Sequence, residues 1–327
     1  MRLFPFVSAM VLCMGIAQAA TPAAATRFPA RLDHILLWGR GIDQVTSVMA
    51  VKLGFQVRPG RDPGGVANRY VRFADSSFVE VLGITRPKPE FDPGMEEDYK
   101  ALEGGPGARA FGFRSPELDA IRDHLAGLGY AVTPFFNGPD SAKPGWRLFA
   151  FERAPLSSNT FFIDYKDDYA PDQFDPTNAG DRRATREHPN GARELSAIWL
   201  VSGDAESDRR ELERMGFGDA VPVALSQLGA KGFCVPVGPT ALLALQPEGE
   251  GIAAETMASG GPRILGVSFG VSDLGRAQRW VERGYERGLA TYRGLSGESF
   301  LAPTRDDLGL SIEFHAMVPG EAPCAMR

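Results

Sequence analysis

Histidine and cysteine are scarce in this chain, four and three among 327 residues. No C-x-x-C pair occurs, and three thiols are too few for a disulfide scaffold. G-x-S-x-G is absent, and "GRG" at 39–41 lacks the third glycine of a phosphate-binding loop. A clustered excess of Lys and Arg is missing too: the formal charge is -6, and the arginines stand mostly beside carboxylates, as in "ESDRRELERM". Nucleic-acid phosphates need a basic patch, so no nucleic-acid partner is expected. The composition, 43% hydrophobic and 23% charged, is that of a globular protein, neither disordered nor membranous.

Residues 1–19 read as an export signal. Arg2 supplies a charge, residues 3–17 ("LFPFVSAMVLCMGIA") an apolar core, and Ala17 and Ala19 the small residues that a signal peptidase reads. The run is short for a membrane span of about 20 residues and contains Pro5. Leu12 is too bulky for lipoprotein processing at Cys13. The expectation is a periplasmic or secreted protein, free of the membrane after cleavage. Cys234 and Cys324 then face an oxidising compartment. They either bridge the C-terminal tail to the body or stay apart as a strand thiol and a tail thiol.

What is present is a diverged repeat. "RLDHILLWG" is strand-like and leads into "GIDQVTSVMAVKLGF", where Ile42, Val45, Met49 and Leu53 recur at helical spacing. "FQVRPG", "NRYVRFA" and "SSFVEVLGI" follow as three strands. The same order restarts at "ARAFGFRS", at "ELSAIWLVSG" and at "ILGVSFGVS", with a strand near "YAVTPFF" in the second copy. Each unit is too small to bury its own sheet face, so the units should pair. The fold class expected is α+β: four βαβββ modules paired into two open-barrel cups. One domain spans 31–167, a polar, turn-rich linker 168–193, and a second domain 194–318.

With its His in an opening strand and its Glu in the closing one, this pattern resembles the vicinal-oxygen-chelate superfamily. More closely it resembles the glyoxalase-like domain family, through Leu32-Asp33-His34, "RDPGGVANRYVRF", "FVEVLGI" and "EHPNGARELSAIWL". The resemblance implies ligands on the first and last strands of each module. Aligning the opening strands on their helices puts His34 opposite Ala110, Ala197 and Gly266, and aligning the closing strands puts Glu80 opposite Asp164, Ala244 and Glu313. The N-terminal cup therefore offers His34, Glu80 and Asp164 for a divalent metal ion (Mn, Fe, Ni or Zn). Glu80 and Asp164 are the expected catalytic proton carriers.

Asn68, Arg69, Trp146 and Arg147 begin strands and are expected to touch substrate. The "HPNG" of His188 reads as a turn opening the second domain, or else His188 reaches over the first cup as a lid residue or fourth ligand. His124 is expected on an exposed helix face, and His315 on the face of Glu313. The implied function is a metal-dependent lyase or isomerase acting on a small vicinal-oxygen molecule, a ketoaldehyde or hydroxyketone. The alternative is a metal-free ligand-sequestering protein of the bleomycin-resistance type. A monomer or homodimer suffices, since four modules close two cups.

Overall fold

The structure is a computed structural model that describes residues 28–318 except 63, 93, 104, 139–144 and 167–185, together with Cys324. The export signal and most of the linker lie outside the described residues. Among the described residues, no helix is long and apolar enough to cross a membrane.

The first module runs β1 (Arg31–Trp38), α1 (Ile42–Ser47) continued by a π-helical turn over Val48–Lys52, β2 (Arg58–Pro59), β3 (Val66–Arg72) and β4 (Phe78–Ile84). After α2 (Met95–Ala101), the second runs β5 (Gly107–Arg114), α3 (Leu118–Gly127), β6 (Phe136–Asn137), β7 (Trp146–Ala150) and β8 (Asn159–Tyr165). The third has β9 (Ala192–Val201), α4 (Ala205–Arg214), β10 (Val221–Leu225), β11 (Ala230–Val237) and β12 (Thr240–Pro247). After α5 (Ile252–Gly260) come β13 (Arg263–Val271), α6 (Leu274–Tyr285), β14 (Thr291–Gly294), β15 (Gly297–Ala302), α7 (Arg305–Leu308) and β16 (Ser311–Ala316).

Two eight-stranded sheets result, ordered β2-β3-β4-β1-β5-β8-β7-β6 and β10-β11-β12-β9-β13-β16-β15-β14. In each, opening and closing strands of a module pair in parallel, and the two opening strands join antiparallel at the centre. The expected paired-module, two-cup architecture is the one found.

Alternation sorts the faces. Ile35, Leu37, Val79, Phe111, Phe113 and Phe162 turn away from the first cup, into a core shared with Ile198, Val267, Phe269 and Phe314 of the second sheet. Phe55 meets Phe269 at 5.1 Å and Phe113 meets Phe217 at 4.6 Å, so the two halves are joined by aromatic contact.

Two differences from the sequence reading have simple causes. The strands expected at "FQVRPG" and "YAVTPFF" shrink to two residues each, because they are sheet edges interrupted by Pro59 and Pro134, which have no N–H for the ladder. The connectors between paired modules carry α2 and α5, which the turn-rich composition conceals. Leu102 and Tyr99 from the α2 connector join Trp38, Leu82 and Phe161 in filling one end of the first cup.

Candidate functional site

In β1, Leu32 pairs with Phe113 and His34 with Gly112, so Asp33 is an extra residue bulged out of the ladder. A bulge re-aims its side chain. Here it brings the Asp33 carboxylate to His34, whose Nδ1–H donates to Oδ2 at 2.6 Å. The Tyr165 hydroxyl donates to the same oxygen at 2.7 Å, and Arg114 Nε lies 3.2 Å from Oδ1. Burial alone would push this carboxyl up. The hydrogen bond and charge of His34, backed by Arg114 and Tyr165, outweigh burial and hold Asp33 below its ordinary value.

His34 is thereby oriented, as a histidine tied through one ring nitrogen leaves the other for chemistry. Its Nε2 stands 3.6 Å from Glu80 Oε2, beyond hydrogen-bond range. The ring stacks on Phe78 at 4.2 Å and meets the edge of Phe161 at 5.1 Å. Gly112 permits that contact: a Cβ there would fall 2.5 Å from the Phe161 ring. Glu80 Oε1 accepts from Asn68 Nδ2 at 2.8 Å, and the same nitrogen donates to the Tyr70 hydroxyl at 2.9 Å. Cross-strand partners share a face. Tyr70 is opposite both Glu80 and Arg58, and Arg72 is opposite Phe78, so all three belong to the cup side. The Arg72 guanidinium lies 4.6 Å from the Tyr70 ring.

His34, Glu80 and Asn68 are thus brought together, and Trp146, opposite Tyr165, shares their face. Asp164 is not brought to them. Phe161 touches His34, while Phe162 packs on Phe113 and Phe149 behind the sheet; Asp164 shares the side of Phe162 and pairs across with Arg147.

The parallel ladders explain the slip. Leu36, two residues past His34, pairs with Glu80; the same step gives Gly112–Phe161, Trp199–Leu243 and Ser268–Glu313. The counterparts of Glu80 are therefore Phe161, Leu243 and Glu313. The alignment of closing strands was three residues out for Asp164 and one for Ala244, and any odd displacement changes the face.

Arg69 and Arg147 also lie behind the sheet. Arg69 donates to Asp43 at 2.6 Å and Thr46 at 2.8 Å on α1, and Arg147 to Asp119 at 2.5 Å on α3. His188 is no lid: it is buried between the halves against Phe55 and Phe73. Its Nδ1 accepts from the Gln56 amide and its Nε2–H donates to the Arg72 carbonyl, both at 2.9 Å. Burial pushes its pKa down to about 4, so it is a neutral brace. His124 is half-buried beside Phe28.

The sequence reading missed Asp33, Tyr165, Arg114, Tyr70 and Arg72. For Asp33 a signal existed in the Asp-His adjacency of "LDH". Strict alternation sends Asp33 to the wrong face, and only the bulge corrects it.

A divalent metal ion does not fit this donor set. His34 Nε2 and Glu80 are two ligands, and the remaining ligand positions hold Ala110 and Phe161. Among the described residues, no group of three or more His, Cys, Asp or Glu is placed to hold a metal. Catalytic sites for the ions expected take three protein ligands.

The model of a family described as "Glyoxalase-like domain" matches residues 32–216. A search of curated proteins found no match. Among solved structures, a triple mutant of 4-hydroxymandelate synthase from Streptomyces coelicolor is similar at TM-score 0.66 and 12% identity, over 90% of this chain and 95% of that one. A hypothetical protein from Staphylococcus aureus follows at TM-score 0.52 and 11% identity, over 88% and 99%. A xylose isomerase-like TIM barrel/4-hydroxyphenylpyruvate dioxygenase fusion protein is similar at TM-score 0.60 and 14% identity, over 93% of this chain and 51% of that one. At such identities the likeness shows the fold alone.

Proposed function

Because this chain belongs to the glyoxalase-like domain family, we propose that its N-terminal cup is a proton-transfer site, acting as a lyase or isomerase on a small, oxygen-rich, acidic molecule of the hydroxyketone or ketoaldehyde kind. The observation that carries this reading is the relay from Tyr165 and Arg114 through Asp33 to His34, with Glu80 Oε2 3.6 Å beyond. Two proton-carrying atoms face each other without bonding, which leaves a reacting group room to bridge them. One removes a proton from carbon beside a carbonyl; the other delivers a proton to oxygen or to the neighbouring carbon. Asp33 fixes the tautomer and orientation of His34. Asn68 holds Glu80, and Arg72 meets an acidic group on the substrate. No step runs through a metal ion.

The metal-free sequestering reading is the second one, favoured by the aromatic wall of Phe78 and Phe161 around His34. An oxidising compartment, periplasmic or extracellular, suits the bridge between Cys234 and Cys324.

The test is deuterium incorporation from D2O into a three-carbon 2-oxo-3-hydroxy acid, followed by NMR. Exchange above the buffer rate is expected, falling by roughly a hundredfold or more in His34→Ala and in Glu80→Gln. Exchange equal to buffer in the unmodified protein, or undiminished in both variants, would reject proton transfer. Saturable binding without exchange would favour sequestration.

A further inference from the structure

The C-terminal cup repeats the strands of the first and encloses a different interior. A cavity of about 230 Å³ lies in it, with Glu194, Gln227 and Leu295 among its lining residues. Glu313, 4% exposed, accepts from Ser268 Oγ at 2.7 Å and from the Tyr292 hydroxyl at 2.5 Å. Trp199 Nε1 donates to that same Ser268 oxygen at 2.9 Å. His315, two residues along β16, sits with Nε2 2.7 Å from Ser196 Oγ. Trp199, Leu225, Leu243 and the Cys234–Cys324 bridge supply apolar wall.

The chemistry of this lining selects a ligand. Among the described residues it holds two carboxylates, on Glu194 and Glu313, and no lysine or arginine. A buried carboxylate lowers the energy of a cation and raises that of an anion. Glu313 is also fixed in place, since two hydroxyl donors hold it while a carboxylate has about four acceptor positions. Size sets the rest: a dry cavity of about 150 Å³ takes benzene, so this one takes a single ring with a short substituent. An indole in the wall favours a positive charge on that substituent.

We propose that the C-terminal cup is a binding site for a small organic cation, an amine carried on one ring, with Glu313 as its counter-ion. This site is independent of the proton-transfer site in the first cup and stands or falls separately from it.

Calorimetric titration of the full chain with benzylamine, benzyl alcohol and phenylacetate tests this. Benzylamine is expected to bind roughly tenfold or more tightly than the alcohol, with phenylacetate weaker still. Glu313→Gln keeps the shape of the site and should abolish the preference for amine over alcohol. Leu295→Arg puts a cation at the cavity without touching the Glu313 hydrogen bonds, and should weaken the amine by roughly tenfold. It carries the test by itself if the Gln variant fails to fold. Absence of saturable amine binding to the unmodified protein, phenylacetate binding as tightly as the amine, or unchanged affinity in folded Leu295→Arg would each overturn the proposal.

Discussion

The two cups share a backbone device and differ in what it carries. In every module the residue just before the opening ligand position is skipped by the central ladder: Asp33, Arg109, Ser196 and Leu265. Asp33 turns to His34. Arg109 reaches the Pro262 carbonyl at 3.2 Å, Ser196 contacts His315, and Leu265 joins the apolar cluster of the second cup. The repeat preserves a bulge, and one side chain per bulge sets the local chemistry. The cups then diverge in charge. The first sets Arg58, Arg72 and Arg114 around Asp33 and Glu80, while the second lines its cavity with Glu194 and Glu313 and, among the described residues, no arginine.

The disulfide is the largest way to break this comparison, because Cys234–Cys324 clasps only the second cup. With the two cysteines 90 positions apart, chain entropy assigns the bridge about 4.6 kcal/mol. Cys324→Ser should lower urea stability by up to that amount and speed amide exchange in β10–β12 while leaving β1 and β5 protected. Equal acceleration in both halves would show that the cups unfold as one unit.

Next comes the exchange of bulge residues. Asp33→Leu gives the first module the side chain of the fourth and strands Arg114 and Tyr165 without their carboxylate. A loss of about 3–5 kcal/mol is expected, read as a lower urea midpoint. A loss under about 1 kcal/mol would mean that the relay is not structural.

The brace between the halves gives a smaller, pH-dependent effect. His188 has its folded pKa depressed to about 4. The unfolded chain therefore takes up this proton first as pH falls below 6.5, and stability is lost down to about pH 4. Asp98 opposes it, because burial raises its pKa to about 6, so the folded chain holds that proton first and stability is lost as pH rises through that range. The two partly cancel in the unmodified protein. His188→Gln keeps both hydrogen-bonding capacities without titrating, so the difference between variant and unmodified protein isolates about 3 kcal/mol across pH 6.5 to 4. A pH-independent difference would contradict a neutral, buried His188.

Much of the fold is legible in the sequence because periodicity is local. Ile42, Val45, Met49 and Leu53 announce the first helix, and each is buried. His34 and Glu80 were readable from their places on opening and closing strands. Asp164 was misread because closing strands of similar composition can be aligned in more than one register, and nothing local marks a shift of three residues.

Sequence alone therefore determined the four-module order, the pairing of modules into cups, and His34 with Glu80 as the polar pair of the first. Only the tertiary structure decided which carboxylate serves His34, which face Asp164 takes, and which residues line the cavity of the second cup. Strand periodicity is set by each residue's own backbone and immediate neighbours. Register, bulges and cavity volume are set between strands distant along the chain, and there a displacement of one residue exchanges the two faces of a sheet.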